Sequence, residues 1–284
     1  MIKLKTWTKV LIVFSRRVIR FCLDLLIILL YSIYNLFIYK KLFDNNIIFV
    51  TAAEKNYFDQ LESLLKSYDK YLTNKLIIYD IGLDEKQIQY LKDNFNNLNI
   101  IKFKFEQYPK FIGEYFDDKL GNYAWKPIIV DKVIQQYKSK VVWLDAGNLI
   151  TKKIIFLKIA LTASGLVVPT SSNTIKDWTH SKTIEYVGIN SKYLDNNNYA
   201  SGLIGFDYKS KKSKKIAELW SKFSQIQECI SPSGSSRENH RQDQAVLTLL
   251  LYKYFFKNKF KKFIYPQTNF IFGILFHKRK IYNF

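Results

Sequence analysis

"NYAWKPIIVDKVIQQYKSKVVWLDAGN", residues 122–148, decides the fold class of this chain. Ile128, Ile129, Val133 and Ile134 recur at helical spacing, so 123–139 reads as a helix with these four side chains turned inward. Pro127 falls in the first helical turn, where a missing amide N–H is tolerated. The apolar run Val141–Leu144 then reads as a buried strand, and it stops on a lone carboxylate, Asp145, ahead of Ala146, Gly147 and Asn148. An acid in that position is either a turn residue or a ligand carried to the lip of a crevice.

The pattern repeats on the N-terminal side. "NIIFVTA" (46–52) is a short apolar run, followed by a helix over 56–72 with Phe58, Leu61, Leu64 and Leu65 at helical spacing. "NKLIIYDIG" (74–82) is a second strand stopped by Gly82, 84–95 is a helix with acids in its first turn, and 99–109 is a third strand. Strand and helix alternating in this way predict an α/β domain with a mostly parallel sheet. Beyond Asn148 the alternation loosens, with strands at 165–169 and 202–207 and helices at 212–228 and 241–255. A polar Gly/Pro/Ser loop, 231–239, precedes the last helix and is expected to act as a mobile lid. The tail, 262–280, is strand-like and ends in a basic cluster. No linker is evident after about residue 45, so the expected partition is an N-terminal segment, 1–45, and one domain, 46–284.

A hydrophobic content of 48% is enough for a full core. Cys22 and Cys229 are the only cysteines, which argues against a disulfide framework or a cysteine-rich zinc site. The formal charge of +20 attracts phosphates of any kind, but the lysines are spread along the whole chain. No nucleic-acid-binding pattern accompanies the charge, and no nucleic-acid partner is expected.

The first 41 residues are apolar, aromatic and basic. The uncharged run Leu25–Tyr39 is 15 residues long, short of the roughly 20 that span a bilayer. Arg16, Arg17 and Arg20 together with the tyrosines suit a membrane surface. Two readings stand: a membrane-associated helix, spanning or in-plane, and a helix buried in the domain. No Asn-x-Ser/Thr sequon occurs, which places the domain on the cytosolic side if the segment is membrane-bound.

In an open parallel sheet, ligands sit outside the carboxyl ends of the strands. Thr51 and Ala52, Asp80 and Asp145 all fall there. The dinucleotide fingerprint and the Walker loop are both absent, which counts against dehydrogenases, Gly-rich-loop methyltransferases and P-loop NTPases.

The helix and strand of 122–148, "NNYASGLIGFDYKS" and "DQAVLT" (243–248) together resemble, in order and spacing, the GT-A-fold nucleotide-sugar glycosyltransferases, family 8-like or a related group. The resemblance covers about residues 46–277 and implies a GT-A (Rossmann-like) α/β fold, a mixed and mostly parallel sheet flanked by helices. It implies transfer of a sugar from a nucleotide diphosphate to a glycan or lipid-linked acceptor. Asp145 takes the place of the first Asp of Asp-x-Asp, which in that family holds a divalent ion, Mn2+ or Mg2+, and the donor's ribose and diphosphate. The third motif position is Gly147, so a carboxylate is missing; Asn148 and His277 are the other candidate ligands, which leaves metal dependence open.

By the same resemblance, Asp243 and Gln244 lie beside the transferred sugar, Ser201 and Gly202 shape the acceptor side, and Thr51 and Ala52 line the nucleoside pocket. Lys126 is either a phosphate contact or a solvated helix residue, and Lys278 and Arg279 are further basic candidates for the diphosphate. Trp125 reads as a core anchor, and His180 and His240 as loop residues. The competing class is a non-catalytic, basic, membrane-associated binding protein on a degenerate scaffold of the same kind.

Overall fold

The computed structural model describes residues 46–255 except 97, 117 and 118, together with 274–276 and seven helical positions between 22 and 33. Six strands, numbered in chain order, form the main sheet: β1 (Ile47–Ala53), β2 (Leu76–Asp80), β3 (Asn99–Lys102), β4 (Lys140–Leu144), β5 (Leu166–Val167) and β6 (Leu203–Asp207). Their spatial order is β3-β2-β1-β4-β6-β5. The first four are parallel, with Val50 opposite both Ile77 and Trp143. β6 runs antiparallel to β4, and β5 antiparallel to β6. A mixed, mostly parallel sheet is therefore what the alternation and the resemblance both predict.

Every residue of β1, β2 and β4 is buried, because helices cover both faces. On one face Ile48, Val50 and Ala52 pack with α3 (Trp125–Tyr137), α5 (Lys211–Ser224) and α6 (Gln242–Leu250). On the other, Ile47, Phe49 and Ala53 pack with α1 (Phe58–Tyr71), α2 (Glu85–Asn94) and α4 (Ile155–Ser164). The strict alternation of a strand sorts β1 side chains between these two layers. Asp84 caps α2 through a capping box with Gln87, as the acidic first turn suggests.

Some expectations need correction. The third strand stops at Lys102, not at residue 109, because Phe103 N–H donates to Asp80 O and the chain then turns into a 3-10 helix at Phe105–Gln107. The aromatics beyond Lys102 form a cluster: Phe103 stacks on Tyr108 at 5.0 Å and meets Phe105 edge-on at 4.7 Å. The strand read at 165–169 is only Leu166–Val167, and the helix read at 212–228 ends at Ser224, with one separate turn at Gln227–Ile230.

Of the tail, Ile274–Phe276 pairs antiparallel with Asn148–Ile150, while His277, Lys278 and Arg279 lie outside the described residues. Most of the segment 1–45 also lies outside them. Within it, Cys22, Leu23, Leu25, Leu26, Leu29, Leu30 and Ile33 are helical, and all but Leu25 are exposed. Among the described residues no helix is long and apolar enough to cross a membrane.

Candidate active site

In the order β3-β2-β1-β4 the strands are added on one side of β1 and then, with β4, on the other, and a crevice opens at such a switch outside the carboxyl ends of the strands. A cavity of about 470 Å³ lies there. Its floor is made by strand ends: Ala52 and Ala53 closing β1 with Glu54 after them, Asp145, Ala146 and Gly147 after β4, and Ala200, Ser201 and Gly202 before β6. The antiparallel direction of β6 is what brings its leading residues to the same edge.

Asp145 answers the question its position raises. Its main chain makes the turn: the N–H donates to Gly202 O at 2.9 Å, and its carbonyl accepts from Asn148 N–H at 2.9 Å. Asn148 Nδ2 also donates to Asp145 O and Gly202 O, at 3.0 and 2.8 Å. The carboxylate, relieved of the turn, accepts from Trp143 Nε1–H at 2.7 Å and faces the cavity.

Lys126 comes to it from the opposite side. It sits in the first turn of α3, fully covered, with its ammonium nitrogen 3.0 Å from Asp145 Oδ1, 3.1 Å from Asp243 Oδ2 and 3.4 Å from Ser201 Oγ. It is neither solvated nor on the helix surface. The side chains of Lys126 and Asp243 are 4% and 5% exposed, that of Asp145 40%, so Asp145 is the member open to a ligand. Burial works against the Lys126 charge, but the Asp145 and Asp243 carboxylates outweigh it and hold the ammonium above the ordinary lysine value. Burial dominates at Asp243 and keeps its carboxyl above the usual carboxylate range, against the pull of Lys126. Asp243 Oδ2 is in ion-pair contact yet accepts no well-aligned hydrogen bond.

The corners that deliver these groups are unusual. Gly121, Asn122 and Tyr123 all have positive φ just ahead of α3, and Gln242 has φ 38° at the start of α6. Left-handed non-glycine residues persist only where the surroundings fix them, and they cluster at functional sites. At Gly121 a Cβ would lie 2.2 Å from Ile112 O, so no side chain fits. Asn122 Nδ2 donates to Ser231 Oγ at 2.8 Å, tying this corner to the 231–239 loop.

The other predicted residues divide. Ala52, Lys126, Asp145, Gly147, Ser201, Gly202, Asp243 and Gln244 all line the cavity, and so does Trp125, whose Nε1–H bonds Leu120 O. Thr51 does not: it is buried and points to the opposite face of the sheet from Ala52, with no hydrogen-bond partner for its Oγ1. Asn148 is buried behind the turn and does not line the cavity. Asp80 is a turn residue, its Oδ1 accepting from Gly82 N–H and Leu83 N–H at 2.8 and 2.7 Å. His240 is a packing residue whose Nδ1 accepts from His180 N–H and whose Nε2 meets Ile230 O, and burial lowers its pKa to about 4.

Sequence reasoning missed Glu54, Tyr123, Arg237 and Arg241, which also line the cavity. Glu54 accepts from Tyr115 Oη–H at 2.5 Å, and Tyr123 is pushed up to about 12 by burial, with Tyr57 beside it. Arg241 lies over the Trp178 ring at 3.7 Å. Only Glu54, directly after the first strand, carried a positional signal.

The described residues of the site do not fit a divalent ion; the candidate ligand His277 lies outside them. Among the described residues no three His, Cys, Asp or Glu side chains converge, and the ammonium of Lys126 stands between the two carboxylates that a cation would need.

Comparison with known proteins gives distant matches. Residues 29–131 match the model of a family described as a protein of unknown function, DUF1647. No curated protein matches the sequence. The fold is similar to the bifunctional glycosyltransferase WbbM, at 11% identity and a TM-score of 0.46, over 75% of this chain and 38% of that one. It is similar to the galactosyltransferase LgtC in complex with donor and acceptor sugar analogues, at 16% identity and a TM-score of 0.44, over 73% of this chain and 71% of that one. It is also similar to Core-mannan synthase A from Aspergillus fumigatus in its Mn/GDP form, at 9% identity and a TM-score of 0.49, over 74% and 70%. At such distances the function has to be derived from the cavity itself.

Proposed function

We propose that this chain is a nucleotide-sugar-dependent glycosyltransferase of the GT-A kind, moving a sugar (a hexose in the first instance) to a glycan or lipid-linked acceptor at a membrane surface. The observation that carries the reading is the cluster of Asp145, Lys126, Asp243 and Ser201 at the strand ends, in a cavity of about 470 Å³. Cavities of roughly 300–1,000 Å³ hold ligands of cofactor size. The crevice at a reversal of strand order is where a parallel sheet binds nucleotides.

In this reading the nucleoside lies against Ala52, Ala53 and Glu54, Asp145 faces the ribose and diphosphate, and Asp243 and Gln244 face the transferred sugar. The acceptor enters past Ser201 and Gly202. In transfer, the acceptor's hydroxyl oxygen forms a bond to the anomeric carbon. The bond from that carbon to the diphosphate breaks, its electron pair passing to the phosphate oxygen, and the hydroxyl proton leaves with the departing nucleoside diphosphate. Cations aimed at the diphosphate stabilise the charge that develops there. The exposed apolar positions Leu23, Leu26, Leu29, Leu30 and Ile33 support the membrane surface as the place of work.

Incubating the full chain with UDP-, GDP-, ADP- and dTDP-sugars and following release of the free nucleoside diphosphate tests this reading. Release from one donor class is expected. Release from none, together with binding of one of these nucleotides, would favour the non-catalytic binding protein.

A further inference from the structure

Four cations line one cavity, Lys119, Lys126, Arg237 and Arg241, and the last three are each placed by a different device. Lys126 is held in the first turn of α3 by two carboxylates. Arg241 is stacked 3.7 Å over Trp178, one residue before α6 begins. Arg237 comes from the loop ahead of that helix, with Nη1 3.5 Å from Tyr123 Oη. The N-termini of α3 and α6 therefore converge on the same space, and their peptide dipoles add to its positive character.

Against these cations stand Asp145, Asp243 and Glu54; Glu54 is engaged by Tyr115 Oη–H, and the two aspartates are the pair that a divalent ion would have to ligate. Both are already within ion-pair distance of the Lys126 ammonium, at 3.0 and 3.1 Å. An ion entering at either carboxylate would stand beside a covered ammonium, and at such separations in a poorly solvated site the repulsion is large. A lysine bridging two aspartates occupies the place where a second cation would have to go.

We infer that the donor's diphosphate is neutralised by the chain's own cations, Lys126 with Arg237 and Arg241, and that no divalent metal ion takes part. This rests on the reading of the cavity as a nucleotide-sugar site. Asp145 then serves to hold and aim the ammonium, and Gly147 in place of a second acid follows from the absence of an ion to ligate. Arg237 is exposed on its loop, so it can move to the phosphates, while Lys126 is fixed beneath them.

The test is calorimetric titration of the full chain with UDP, GDP, ADP and dTDP, once with EDTA and once with Mn2+. The nucleotide that binds is expected to do so with affinities equal within about twofold in the two conditions, and Arg237→Ala and Arg241→Ala each to weaken it by about tenfold or more. Lys126→Gln is expected to weaken binding by a similar or larger factor. By freeing two carboxylates it should also gain a Mn2+ site, visible by electron paramagnetic resonance without nucleotide, that the wild type lacks. If Lys126→Gln does not fold, the two arginine variants and the EDTA comparison still decide. Binding that needs Mn2+ overturns this inference and leaves the nucleotide-sugar reading standing. Binding that is indifferent to all three substitutions overturns it as well. No binding of any nucleotide in either condition overturns both.

Discussion

Asp80 and Asp145 begin from almost the same sequence and end with opposite duties. Each closes a fully buried parallel strand, and each is followed by one apolar residue and a glycine, as Asp80-Ile81-Gly82 and Asp145-Ala146-Gly147. At Asp80 the carboxylate makes the turn, accepting from two main-chain N–H groups, and Gly82 takes φ 141° to permit it. At Asp145 the main chain and the Asn148 side chain make the turn, and the carboxylate is left to Trp143, Lys126 and the cavity. The residue three places on decides the difference. Leu83 brings no polar side chain and needs its amide satisfied by the aspartate, whereas Asn148 brings its own donor. A strand-terminal acid becomes available for chemistry when something else does the turn's hydrogen bonding.

The largest effect that would test this division is on activity. Asp145→Asn removes the charge that aims the buried ammonium and is expected to lower the transfer rate on the order of 100-fold, about 2.7 kcal/mol, with thermal stability nearly unchanged. A large fall in melting temperature instead would show that Asp145 is structural, like Asp80. Next comes Asp80→Ala, which orphans two N–H groups at a covered turn and is expected to destabilise the fold by about 2 kcal/mol in urea unfolding. Activity per folded molecule should stay at the wild-type level, and a kinetic loss beyond the folding loss would break the contrast. The smallest effect expected is for Asn148→Ala, about 1–2 kcal/mol of stability, because two carbonyls lose a side-chain donor. Its activity should fall as well, since the turn would then compete for the Asp145 carboxylate; unaltered kinetics would remove Asn148 from the explanation.

The parallel half of the sheet was legible because strands covered on both faces read as apolar runs, and Ile47–Val50, Leu76–Tyr79 and Val141–Leu144 are such runs. The third strand was overread because Phe103 and Phe105 have strand spacing, while the packing of Phe103 on both Phe105 and Tyr108 belongs to a turn. In the site, Asp145 was legible from its place at a strand end, Asp243 was named only through the resemblance, and Lys126 was left between a phosphate contact and a solvated helix residue. The pairing of Lys126 with both acids was not legible, because it joins α3 to α6 across much of the chain and no local spacing records it. Thr51 was misplaced although strand alternation alone sends it to the other face from Ala52. Arg237 and Arg241 lie in a loop whose composition says that it turns and not where it folds.

The reversed direction of β6 has a consequence for how such a cavity changes over evolutionary time. The chain comes to the cavity edge along β1 and β4 and departs from it along β6, whose leading residues Ala200–Gly202 lie at that edge. Because Gly202 O holds the Asp145 turn and Ser201 Oγ lies 3.4 Å from the Lys126 ammonium, any change in the segment ahead of β6 reaches the reacting groups directly. New specificity at that edge therefore comes coupled to the placing of Asp145 and Lys126, and the two are expected to vary together.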